Sequence, residues 1–157
     1  MDNIKQLTQL TMSQVMLPGQ ANVAGNVHGG EIMKFMDSAA GAVAMRYARS
    51  NVVTARVDEL EFHLPIFVGA LVSCYAEVTY VGNSSMEIMV TVYVEDLERE
   101  SPPKHALSAY FTMVALDRMG RPQRIPPLEI ENEEGQRKFE EGKARYMAHN
   151  LKKKGDK

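Results

Sequence analysis

The chain has no tryptophan, one cysteine and four histidines in 157 residues. With a single cysteine, Cys74, no intrachain disulfide can form. Its place inside an apolar, strand-like run is that of an inert buried thiol, and a lone thiol fits a reducing cytoplasm. The histidines are scattered and have no cysteine partner, so no metal-ligand spacing is present. No apolar run reaches membrane-spanning length, and the opening MDNIKQLTQL lacks the apolar centre of a signal peptide. The expectation is therefore a cytoplasmic chain with no membrane partner. Neither sign of charge dominates: 18 basic and 20 acidic residues give a formal net charge of -2. That leaves no basic field to hold nucleic acid. An internal repeat is also missing. What remains is a chain of ordinary composition, 45% hydrophobic and 24% charged, long enough for one domain with a real core. Its eleven methionines suit an adaptable apolar ligand surface.

The stretch Ala21–Gly41, ANVAGNVHGGEIMKFMDSAAG, organises the rest. Its polar opening carries Asn22, Asn26 and His28, and Gly29-Gly30 then stand where a helix would begin. Glycines there let a ligand approach the free N–H groups of the first turn. The pattern predicts helix from Gly30 or Glu31 to about Tyr47, apolar nearly all round and hence a core helix, with Ser50-Asn51 ending it. Upstream, Ile4–Met16 reads as a first strand or arm turned by Pro18-Gly19.

Beyond Val52 the period becomes two. Val53, Ala55 and Val57 alternate with polar residues, and then Leu60, Phe62 and Leu64 take the opposite phase. That slip predicts a bulge near Asp58-Glu59. Further strands are expected over Leu71–Tyr80, Met86–Val94 and His105–Leu116, with Gly82-Asn83-Ser84-Ser85 as a tight connection. Ile130–Lys154 reads as a charged helix with few apolar residues, lying outside or fraying. One apolar helix followed by four antiparallel-looking strands gives an α+β class in which the sheet curls around the helix. Residues 1–128 form the domain and 129–157 a charged C-terminal helix or tail.

An aspartate within an apolar helix needs a reason. Asp37 lies two turns from Gly30, beyond the reach of the helix dipole, and nine residues from Arg46, the wrong spacing for a same-helix pair. A carboxylate poised by partial burial can act as general base for water or as nucleophile. Asn22 has both donor and acceptor atoms, and as a loop asparagine it equally fits a turn. His28 is expected to support the loop or the substrate rather than act as base. A backbone N–H at Gly29 or Gly30 can stabilise an oxyanion.

Asn22, Gly25, His28-Gly29-Gly30, Ile32, Met36-Asp37 and Gly41 together resemble the acyl-CoA thioesterases of the hotdog superfamily. Supporting matches follow at Val53-Thr54-Ala55, at Phe62 with Pro65 and Gly69, and at Gly82 with Ser84-Ser85, so that the resemblance runs from about Leu10 to Leu128. It implies a curved antiparallel sheet wrapped around one long helix, and hydrolysis of acyl-CoA to carboxylic acid and CoA without metal or cofactor. It also implies dimers joined edge to edge, often built into hexamers, with Asn22 of one subunit facing Asp37 of the other. Catalytic roles then fall to Asn22, Asp37 and Gly30. Substrate binding falls to His28, Gly29, the Val53-Thr54-Ala55 strand edge facing pantetheine, and Gly82-Asn83-Ser84-Ser85, with Arg56 and Lys104 as phosphate partners. Bacterial relatives often carry a basic residue where this chain has Asn83. The competing readings are a non-catalytic acyl-CoA-binding module and a hydratase of the same fold. The hydratase pattern pairs an Asp with a nearby His, and His28 has no acidic residue at that spacing.

Overall fold

A computed structural model describes residues 7–155. The predicted arm over Ile4–Met16 becomes β1, Gln9–Val15, and the part of it before residue 7 lies outside the described residues. A single 3-10 turn, Pro18–Gln20, and an irregular loop lead into α1, Gly29–Ala48. Four strands follow: β2 Asn51–Asp58, β3 Leu71–Val81, β4 Ser85–Glu95 and β5 Lys104–Leu116. The last element is α2, Glu133–Gly155. All strand pairs are antiparallel, in the order β1-β3-β4-β5-β2, so β1 and β2 are the free edges. The period-two runs place Val72, Cys74, Ala76 and Val78 of β3 and Met86, Ile88, Val90 and Val92 of β4 on one buried face. Against that face lies α1, packed on all five strands, as the sequence predicts. Burial pushes the Cys74 thiol up to about 12.

Three expectations need correction. The helix is not buried all round: Ile32, Met36, Ala39, Ala40, Val43, Ala44 and Ala48 are buried, while Met33, Asp37 and Met45 are exposed in the single chain. Successive residues of a helix are about 100° apart, so Asp37 faces away from the core that Met36 fills. The bulge falls not at Asp58-Glu59 but between Thr54 and Arg56. The later change of phase arises because the strand ends at Asp58 and Glu59 turns the chain with φ 57°. Leu60 and Leu64 then pack on the core from outside any strand. Finally, α1 ends at Arg49, whose left-handed φ of 53° caps the helix while its N–H donates to Met45.

Although poor in apolar residues, α2 is pinned to the outer face of the sheet. Asn132 accepts from the Gly135 N–H and starts the helix, later than the expected Ile130. Phe139 meets Tyr80 edge-on and Tyr146 meets it tilted, with centroids 5.0 and 5.7 Å away. Gly142 is buried, and a Cβ there would stand 2.8 Å from the Tyr80 Cβ, so only glycine lets the helix come this close. Lys138 pairs with Glu77 at 2.9 Å. Arg145 donates twice to the buried Glu87, at 2.9 and 2.8 Å, and its guanidinium lies 3.7 Å over the Tyr110 ring. Thr79 Oγ1 donates to the same carboxylate at 2.8 Å. No helix among the described residues is long and apolar enough to cross a membrane.

Two outcomes follow from this packing. Arg145→Met leaves Glu87 buried and unpaired and should cost about 3 kcal/mol, with the Glu87→Met/Arg145→Met double variant recovering part of it. Melting at fixed protein concentration checks the order. Native Cys74 should stay unmodified by a thiol reagent at pH 8 that reacts fully after unfolding, because its thiolate is scarce and inaccessible.

Candidate active site

The Asn22–Asn26 loop is built around one amide. Asn22 Oδ1 accepts from the N–H groups of Ala24 and Asn26, at 2.9 and 3.1 Å. The Asn22 N–H donates to the Asn26 carbonyl at 2.7 Å, and Gly25 supplies the positive φ of 87° that the reversal demands. The turn reading of Asn22 therefore holds. Its oxygen makes the turn, which fixes the amide orientation and leaves the Nδ2 donors for something outside the loop. Asn26, the rival by position, is tied into the same loop and bridges Phe67.

His28 is the residue before α1, and its side chain makes no capping hydrogen bond. Its backbone carbonyl takes the N–H groups of Glu31 and Ile32, at 3.0 and 3.3 Å. Gly29 and Gly30 precede them and are exposed, and the first N–H groups of a helix have no intrahelical acceptor. The helix N-terminus is thus open beside the Asn22 loop. A cavity of about 350 Å³ adjoins both, lined by Asn22, Gly29, Ile32, Phe62, Leu64 and Ile66 among others.

Asp37 belongs to a second cluster. Thr54 Oγ1 donates to Asp37 Oδ1 at 2.6 Å. Thr54 lies on the strand edge expected to face pantetheine, and its hydroxyl is given to the carboxylate. The bulge one residue later sits next to this contact, a common place for a bulge to aim a side chain. Asp37 is not the partly buried carboxylate the sequence implied, because the α1 face that carries it is uncovered in the single chain.

Within one chain the two clusters do not meet. Gly30 and Asp37 are seven residues apart on one helix, about 10 Å along its axis. The hydrogen bonds of the Asn22 side chain stay inside its own loop.

The remaining predicted residues divide. Val53, Thr54 and Ala55 are exposed on the free edge strand, as read from the sequence. Arg56 is held by Asp58, with Nε 2.6 Å from Oδ2, so its charge is already engaged. Gly82-Asn83-Ser84-Ser85 forms the β3–β4 turn, where the Gly82 N–H donates to Ser85 O. The carbonyls of Ser84 and Asn83 hold Ala115 and Ile125. Ser85 pairs with Val114 and Val53 pairs with the same residue, so turn and edge strand are level, separated by β5. Lys104 is exposed at the opposite end of β5 from that turn.

The comparisons agree with this architecture. The model of the Thioesterase superfamily matches residues 24–101. The cytosolic acyl coenzyme A thioester hydrolase of Mus musculus is 38% identical over 98% of this chain, but the chain spans only 40% of that protein's length. An uncharacterized acyl-CoA thioester hydrolase of Zymomonas mobilis is 39% identical over 73% of this chain and 76% of its own. An apo-hexameric acyl-CoA thioesterase superposes with a TM-score of 0.85 and 31% identity, over 96% of this chain and 94% of that one. The acyl-CoA hydrolase of Staphylococcus aureus, solved with butyryl coenzyme A and coenzyme A, gives a TM-score of 0.83 at 28% identity, over 96% and 93% of the two chains. That enzyme has also been solved with single alanine replacements of an asparagine, of an aspartate fifteen residues later and of a threonine seventeen residues beyond it. Asn22, Asp37 and Thr54 stand at the same two intervals. By sequence and by its hotdog fold, the chain belongs to the acyl-CoA thioester hydrolases of the thioesterase superfamily.

Proposed function

We propose that the chain hydrolyses acyl-CoA thioesters to carboxylic acid and CoA at a site shared between two copies. The observation that carries this reading is the Thr54–Asp37 hydrogen bond, together with the matching Asn–Asp–Thr intervals in the S. aureus enzyme. In the reaction, the N–H groups at Gly30 and Gly29 and the Nδ2 of Asn22 donate to the thioester carbonyl oxygen. Their preorganised dipoles stabilise the negative charge that develops there. Asp37 of the other copy either takes a proton from the attacking water and returns it to the sulfur as the C–S bond breaks, or attacks the carbonyl carbon itself, expelling CoA thiolate and forming a mixed anhydride that a water then cleaves to the carboxylic acid, a proton of that water going to the thiolate. Thr54 fixes the carboxylate through Oδ1 and leaves Oδ2 to act. CoA enters as part of the substrate and leaves as product.

The separation of about 10 Å between Gly30 and Asp37 motivates the second copy, since both must come within roughly 3 Å of one carbonyl group. The free β2 edge and the uncovered α1 face, with Met33 and Met45, supply the surface for it. A dimer is the minimal unit and a hexamer the full assembly, as in the apo-hexameric neighbour. The domain bounds read from the sequence, 1–128 for the hotdog domain and 129–157 for the charged C-terminal segment, put α2, Glu133–Gly155, in the second segment, strapped over the outer face of the first. His28 supports the substrate, Val53 and Ala55 line its path, and Gly82-Asn83-Ser84-Ser85 with Arg56 stand near the nucleotide end. The single thiol, and a mouse relative named as cytosolic, support a cytoplasmic setting.

Asp37→Asn should lower turnover by about a hundredfold or more, the usual scale for a lost general base. Thr54→Ala and Asn22→Ala should lower it less, because they position rather than transfer. A dimer mixed from Asn22→Ala and Asp37→Asn chains holds one intact site and one doubly altered site. Co-expressed, separated and assayed, it should recover up to half of wild-type turnover. A folded mixed dimer as inactive as either parent would falsify the shared site.

A further inference from the structure

Phe62 sets a large aromatic ring against the open start of α1. Its Cζ lies 3.5 Å from where a Cβ on Gly29 would stand, so the ring rests on the helix N-terminus. It is 42% exposed, a costly position for a phenylalanine unless something apolar meets it. The chain around it is fixed: the His63 N–H donates to Ala106 O at 3.0 Å, and the Val27 N–H donates to Ile66 O at 2.7 Å. Movement of the ring is therefore left to its own torsions. Beside it opens the cavity of about 350 Å³, within the usual range for ligand pockets. Buried Val27, Ile32 and Ile66 give that cavity an apolar floor. The Asn22 oxygen at its rim is already spent on the loop.

We propose that Phe62 sets the acyl-chain length this site accepts. Its ring and Gly29 of the helix N-terminus, which holds the thioester carbonyl, stand side by side on the wall of the cavity floored by Val27, Ile32 and Ile66, which takes the acyl chain. The proposal rests on the acyl-CoA hydrolase reading above. An acyl chain suits the floor of Val27, Ile32 and Ile66, whose side chains offer no hydrogen-bond partner, because methylenes need none. A short acyl group is covered by the ring, and a longer one must turn it aside to pass.

The test is kcat/KM over a ladder from acetyl-CoA to palmitoyl-CoA, for the full chain and for Phe62→Ala and Phe62→Trp. Each additional methylene that the cavity admits is worth about fourfold. Phe62→Ala should raise the ratio of long-chain to short-chain kcat/KM by about tenfold or more, and Phe62→Trp should lower it. If Phe62→Ala melts early, Phe62→Leu carries the same test with a smaller shift in the same direction. Variants that stay folded and change kcat/KM by one common factor at every chain length overturn the proposal while the hydrolase reading stands. A full chain that turns over no acyl-CoA of any length overturns both.

Discussion

The packing of α1 into the hollow of the sheet commits one side of the helix and leaves Asp37 on the other. Ala39, Ala40 and Ala44 are fully buried, and such small side chains let the helix axis sit close to the strands. Because it sits close, a side chain as short as aspartate can reach β2 and accept from Thr54. The same placement brings the first turn of the helix to the open end of the sheet, where its N–H groups face solvent beside Asn22. One packing arrangement thus places both halves of the proposed site and also keeps them apart. A helix rises about 1.5 Å per residue, and the seven-residue step from Gly30 to Asp37 cannot be shortened.

Each half is rigid for its own reason. At the loop, the Asn22 oxygen is consumed by two backbone donors, which removes the rotational freedom of the amide. At the carboxylate, a hydroxyl anchored on a strand holds one oxygen. Preorganisation of this kind removes reorganisation from the reaction itself, which is where electrostatic stabilisation gains most of its value. The outer helix contributes at a distance. By covering Glu87 and Thr79 it closes the polar side of β3 and β4, whose other side carries the core under α1.

Period and punctuation made α1 and the three long strands readable to within a residue or two, because each buries one regular face. The bulge was misplaced because a change of apolar phase has two causes, an inserted residue or a strand that ends, and Val57 followed by Leu60 looks the same in both. The outer helix was underestimated because its hold on the sheet is polar and aromatic. Glu87, Arg145, Thr79 and Tyr80 come from elements far apart in the chain, and no spacing rule joins them. The backbone signal for their meeting is Gly142, a glycine in mid-helix, which ordinarily costs stability and so marks a close approach. At the site, Asn22, Gly30 and Asp37 stood out by residue type and position. Thr54 was noticed for its backbone, and the value of its hydroxyl depends on a helix seventeen residues upstream.

The edge of β2 carries two demands at once. The proposed dimer uses it to join a second copy edge to edge, and the candidate pantetheine contact uses the same edge at Val53-Thr54-Ala55. An outward-facing N–H or C=O on an edge strand can be satisfied by one backbone partner, so a given residue serves one demand or the other. The shift of register between Thr54 and Arg56 falls at the point where the demands divide. A bulge bends the strand and increases its twist, which turns the groups on one side of it away from those on the other. Residues before the bulge, level with the Gly82–Ser85 turn, can then face a ligand running toward that turn, while those after it, through Asp58, stay with the strand edge. In the proposed dimer, the same irregularity that sits beside the Thr54–Asp37 contact would separate the surface offered to substrate from the surface offered to the second copy.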